Sequence, residues 1–298
     1  MTKTATTTAA APKAKRNSQT KEVLKRFSKS PLAMIGTAIF VIFVVLAILA
    51  PYICKYAYDE MTVDILSGCS LDHFFGTDKF GRDLFSRILY GGRYSIFMGV
   101  VATLLGTAIG MVLGAIAGFF GQVADNVVMR ICDIFQAIPG ILLSMVISTV
   151  LGAGVVNTII ALSIGGIAGN ARMMRSLILQ VRNSDYIEAA GSINCSSARI
   201  IFRHILPNTF GPILVGCTMG IGGTIMQAAS LSFLGLGIKA PIPEWGALLN
   251  EGKDYFTMYP PSADFPRPGH RPAEPGHLPD GRRPAGCNGP QTEEVTEV

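Results

Sequence analysis

Residues 32–53 carry no charged side chain, which excludes most of the folds open to a chain of 298 residues. As a helix this stretch is about 33 Å long, enough to cross the hydrocarbon core of a bilayer. Inside that core every backbone N–H and C=O must be satisfied within the protein, so an isolated apolar run of this length has to be helical. Four further apolar stretches follow, at 94–120, 131–151, 155–171 and 210–236. With 49% hydrophobic and only 15% charged residues, the chain is too apolar for an ordinary soluble domain. The expected fold is all-α: a polytopic membrane helix bundle of five spans.

The net charge of +5 is unevenly spread. Lys3, Lys13, Lys15, Arg16, Lys21, Lys25, Arg26 and Lys29 precede the first apolar run and only Glu22 opposes them. Beside a membrane span such a cluster reads as a positive-inside anchor at the lipid surface, not as a nucleic-acid tail. The first apolar run starts too late and is too long for a cleavable signal peptide. The amino terminus is therefore expected in the cytosol, with residues 1–30 a basic segment whose Thr-, Ala- and Lys-rich start is disordered. Five spans then place 175–208 inside and the carboxyl end outside. Arg172, Arg175, Arg182, Arg199 and Arg203 at that loop agree with this orientation.

The loop at 185–208, DYIEAAGSINCSSARIIFRHILPN, has the pattern of structure in its own right. Asp185 is placed to cap a helix, with Glu188 three residues on in capping-box spacing. Ala189 and Ala190 offer a small-residue face that another surface could approach. Asn194 suits a left-handed turn. A second amphipathic helix then runs past Arg199 and Arg203 to Leu206 and Pro207. A cytosolic loop so built is expected to dock on a partner.

Within the spans, Gly106, Gly110, Gly114 and Gly118 recur every fourth residue and share one helix face, a packing seam and not a substrate contact. Gly216 and Gly220 repeat the spacing, and Pro139 is expected to kink the third span. The outer segment, 31–93 together with the first span, contains turns at Gly76-Thr77-Asp78 and Gly81, then an interfacial helix over 82–90, its charges reading as a solvated approach to the second span. Cys54 and Cys69 share that side, so the topology allows a disulfide between them. The span interiors lack the Asp, Glu or His that an ion-coupled carrier uses. A phosphate-binding Gly-Lys-Ser/Thr loop is absent, since Gly252-Lys253 is followed by Asp254. No catalytic set of side chains and no cofactor or metal site is apparent. Transport, if powered, must draw its energy from a partner.

Several motifs together carry a resemblance. Glu188-Ala189-Ala190 and Leu206-Pro207 resemble the EAA loop of ABC-importer permeases, with Asn194 where the family has glycine. SPLAMIG (30–36), HFFGTDKFGRDLFSRILYG (73–91) and ASLSFLGLGIKAPIPEWGALLNEG (229–252) are similar to the C-type permease subunit of dipeptide, oligopeptide and nickel importers. The resemblance covers about 25–258 and implies a type I ABC-importer permease of a bacterial or archaeal cytoplasmic membrane, with a core permease domain at 94–258. It implies as partners a second permease, two ABC ATPase subunits, with docking on this chain at Asp185, Glu188, Ala189, Ala190, Asn194, Arg199, Arg203, Leu206 and Pro207, an extracytoplasmic substrate-binding protein, and a peptide as cargo. Nickel is the alternative cargo, and a secondary carrier or a non-transporting membrane protein is the alternative class.

The family's sixth span is expected after 252, but 259–298 holds Pro260, Pro261, Pro266, Pro268, Pro272, Pro275, Pro279, Pro284 and Pro290. Proline at this density forbids a continuous helix. The stretch reads either as a Pro-rich tail or as out-of-frame sequence beginning near 258–261, and its position where a span should start favours the second.

Overall fold

The computed structural model describes residues 30–253, so the basic amino-terminal segment and the Pro-rich 259–298 stretch lie outside the described residues. Eight helices organise what is described: α1 (Pro31–Ile53), α2 (Leu84–Phe120), α3 (Gln122–Ala137), α4 (Gly140–Leu151), α5 (Val155–Arg182), α6 (Asp185–Ser192), α7 (Ser197–Phe233) and α8 (Trp245–Gly252). Among the described residues the strand content is a single isolated bridge between Thr77 and Asp83.

The helix at 82–90 is not separate. Asp83 caps α2 by accepting from the Ser86 amide at 2.8 Å, and the helix then runs unbroken for 37 residues to Phe120. Nothing between Leu84 and Phe120 breaks it, because proline is absent and its glycines are packed. Gly121, at φ +64°, ends it in a conformation that side chains disfavour.

The glycine seam is the spine of the bundle. A Cβ at Gly106 would lie 2.8 Å from the Ser163 carbonyl oxygen, at Gly110 2.6 Å from Asn170 Cβ, and at Gly118 2.9 Å from Ile178 Cβ. At Gly114 it would collide with the Ala171 carbonyl. The partner residues rise from 163 to 178 as the glycines rise from 106 to 118, so α2 and α5 run parallel. Two consecutive parallel spans require a crossing between them. That crossing is α3 plus α4, which meet at an angle of 87°. By contrast α7 is antiparallel to α2, since Gly99 faces Ile225 whereas Thr103 faces Gly220 and Thr224.

Among the described residues three helices are long and apolar enough to span a membrane by themselves, and the bent pair makes a fourth. The fourth expected span, α5, extends beyond residue 171 to Arg182 and gains Arg172, Arg175 and Arg182 on its last turns, which dilute its apolar character. The third span is broken outright at Pro139, where kinking was expected. Proline forces the preceding residue out of the helical region, and Ile138 is extended at φ −94°, ψ 127°.

Candidate functional site

The 185–208 stretch lies at the end of α2 and α5, opposite to 54–83. Ser184, and not Asp185, is the residue from which α6 starts: its carbonyl accepts from the amides of Ile187 at 2.8 Å and Glu188 at 3.2 Å. Asp185 and Glu188 are both in the first turn, where negative charge complements the helix dipole. Asn194 adopts φ +59°, the left-handed turn expected of it. The chain then enters α7 at Ser197.

Two expectations about this loop are corrected by its packing. Ala190 does not face outward: it is 6% exposed and lies in a cluster with Ile187, Ile200, Ile201, Ile205, Met174 and Ile178. Residues three and four apart share a helix face, so Ile187 and Ala190 form the inward side. Ala189, with Asp185 and Glu188, is on the exposed side. Nor does the second helix stop at Pro207. A π-helical turn at Ile201–Ile205 carries it through, with the Leu206 amide donating to the Ile201 carbonyl. Pro207 has no amide to offer the Arg203 carbonyl, and its ring crowds that carbonyl; the wider turn just before it opens the ladder to make room. Arg199 and Arg203 are exposed, as is Pro207, while Leu206 is half-buried against the Ile205 cluster.

Nearby, two ion pairs tie α3 to α5. Arg175 Nη2 donates to Asp125 Oδ2 at 2.6 Å, and Arg172 Nη2 to Asp133 Oδ1 at 2.6 Å. Arg182 reaches back to the Gly118 carbonyl at 3.4 Å.

At the opposite end, charges expected to be solvated are buried. Asp78 Oδ2 accepts from Arg82 Nε at 2.7 Å and Arg87 Nη1 at 2.6 Å, and Glu251 of α8 accepts from Arg82 Nη2 at 2.9 Å and Arg87 Nη1 at 2.6 Å. Arg87 is 1% exposed. Burial raises the pKa of Asp78, but the amides of Arg82 and Phe80 and the Arg82 guanidinium outweigh it, and the carboxyl ends below the usual aspartate range. Buried His73 pairs through Nδ1 with Asp83 at 2.9 Å and stacks on Tyr56. Fully buried Glu244 accepts from Ser95 Oγ and caps α8 through the Ala247 amide. Gly76 and Gly81 take the expected turns, at φ +76° and +72°. Asp78, Arg82 and Arg87 fall within ten residues of one another in the sequence, but their partner Glu251 lies far along the chain. Cys54 and Cys69 are free thiols. Burial pushes the Cys54 thiol up, against a smaller opposing effect of the Ser86 hydroxyl, which disfavours the thiolate needed for disulfide chemistry.

A bundle of long apolar helices with a structured helix–turn–helix at one end and an ordered polar cap at the other has the build of a multi-pass membrane protein. Residues 110–262 match the family described as the inner membrane component of binding-protein-dependent transport systems, and the chain belongs to that family. Residues 18–67 match the N-terminal transmembrane domain of oligopeptide transport permease C, which places it among the C-type permeases of ABC importers. It is 40% identical over 247 residues to the dipeptide transport system permease protein DppC of Alkalihalophilus pseudofirmus, covering 83% of this chain and 81% of that one. It is 40% identical over 249 residues to the oligopeptide transport system permease protein OppC of Bacillus subtilis, with 83% and 81% covered. To the glutathione transport system permease protein GsiD of Escherichia coli it is 44% identical over 247 residues, with 82% of each covered. The chain is thus a transporter membrane subunit and not an enzyme, and its system works with an ATPase and a binding protein.

Proposed function

We propose that this chain forms one half of the membrane pathway of a type I ABC importer that carries di- or oligopeptides, a second permease supplying the other half. Its amino terminus is cytosolic, the 185–208 loop receives one of two ATPase subunits, and the 54–83 segment with α8 faces the substrate-binding protein outside. The observation that supports this best is the shape of the loop: an eight-residue helix, a left-handed Asn194 and a second helix that is the first part of α7. A movement imposed on that loop is carried directly into a span without an intervening flexible linker. The relatives named for dipeptide, oligopeptide and glutathione transport all carry peptide-bonded cargo, which favours peptides over nickel. ATP-driven closure of the ATPases would rock the bundle between inward- and outward-open arrangements.

Affinity purification of the full chain from native membranes, read by mass spectrometry, tests the assembly. Recovery with two ATPase subunits and one related permease is expected. Recovery of the chain alone would overturn the reading.

A further inference from the structure

The break at Pro139 lies half-way along the bundle. Thr103 of α2 bonds to Thr224 of α7 at 2.9 Å, and Gly106 packs on Ser163 of α5. Within a turn of these contacts, Gln227 of α7 and Gly165 of α5 meet the broken ends of α3 and α4. Gln227 Nε2 donates to the Gly140 carbonyl at 3.1 Å and to Ser144 Oγ at 2.9 Å. A Cβ at Gly165 would lie 3.4 Å from Ser144 Oγ and 3.9 Å from Gln227 Nε2; one at Gly169 would lie 3.8 Å from Gln136 Nε2. Asn170, on the next face of α5, donates to the Gly166 carbonyl at 3.0 Å. Three side-chain carboxamides thus lie against three glycines of α5, close to the Ser144 hydroxyl.

Irregular backbone at this depth is tolerated only where it is covered by protein or lines a water-filled cavity. Ile138, Pro139, Gly140 and Gln136 are exposed in this chain, and Gln227 and Asn170 are half-buried. A carboxamide offers a donor and an acceptor without a charge. That matches a peptide main chain, which presents the same two groups whatever its side chains are. Uncharged contacts also release what they hold, as a conduction path requires.

We propose that Gln136, Asn170 and Gln227, set against Gly165 and Gly169 at the Pro139 break, form a mid-membrane station that hydrogen-bonds the main chain of a peptide in transit. The proposal rests on the peptide-importer reading above. Gln136 is the residue to test, because among the described residues it makes no side-chain hydrogen bond that the fold needs, whereas Gln227 holds the break together.

The assembled importer, with its second permease, ATPases and binding protein, is reconstituted in proteoliposomes, and uptake of labelled dialanine per ATP hydrolysed is measured at saturating binding protein. Gln136→Leu is expected to lower that ratio about tenfold, the worth of roughly one lost hydrogen bond in the rate-limiting state. Gln136→Asn is expected to restore most of it. An unchanged ratio in Gln136→Leu overturns the proposal. So does loss of the second permease from the Gln136→Leu complex, which would make the cluster a subunit contact. If the unsubstituted complex hydrolyses ATP but carries neither dialanine nor a labelled pentaalanine, the peptide reading itself falls, and this shows before any variant is made.

Discussion

Arg87 and Glu251 stand 164 positions apart in the chain and 2.6 Å apart in space. Their contact fastens α8 to the first turn of α2. Arg82 and Asp78 complete a ring of two positive and two negative side chains, so the buried charges balance locally. Removing one member of such a ring leaves another charge buried without its partner, which costs more than the net worth of the pair.

Asp78→Asn is accordingly expected to lower stability by about 3 kcal/mol at neutral pH, read as a lower thermal midpoint in detergent. The acid dependence has a definite sign. Because the folded pKa of Asp78 lies below its ordinary value, its stabilising contribution is complete above about pH 3.9 and is lost as pH falls through the depressed folded value. The gap between the natural chain and Asp78→Asn should therefore be constant down to mildly acid pH and close only below it. A gap that closes between neutral pH and about pH 5 would contradict the assignment.

Gly114→Ala and Gly36→Ala should behave oppositely. The added methyl at Gly114 meets the Ala171 backbone, whereas nothing lies within 4 Å of one at Gly36. Gly114→Ala should destabilise by about 2 kcal/mol or separate α2 from α5, and Gly36→Ala should be neutral. Thermal unfolding of the two purified variants decides it.

Asn194 pays for its left-handed turn with strain that glycine would not feel. Asn194→Gly should leave stability unchanged or slightly improved, and Asn194→Val should lose about 1–2 kcal/mol. Limited proteolysis within 185–208 is the direct readout, with Asn194→Val cut faster.

Ala189 and Ala190 separate docking from folding. Ala190→Glu places a carboxylate among Ile187, Ile201 and Ile205 and should reduce the yield of folded protein in the membrane. Ala189→Glu alters only the exposed side of α6 and should leave that yield intact while lowering ATPase recovery on co-purification. Equal ATPase recovery with Ala189→Glu would count against docking at this face.

The sequence made the helical class, the approximate spans, the glycine seam and the Asn194 turn legible, because each depends on local spacing or on the conformational range of one residue. What it hid was set by distant partners. Glu251 gave no local sign that it would neutralise Arg82 and Arg87. Alanine at 190 looked the same as alanine at 189, since only the turn of α6 against α7 decides which faces inward. Pro139 announced a disturbance, but neither the 87° angle between α3 and α4 nor the donation from Gln227, 87 positions on, to the Gly140 carbonyl could be read locally. The continuation through Pro207 needed a wider turn that residue propensities do not encode.

The uninterrupted course of α2 has a mechanical consequence. Its 37 residues make a rod about 55 Å long, clamped by Arg87 near one tip and abutted by Arg182 at the other. A rod of that length pivoting by only about 10° about one tip would swing the other by about 10 Å. Leverage of this kind would turn a slight shove at one mouth of the bundle into a wide excursion at the other, and it would depend on stiffness, not pliancy.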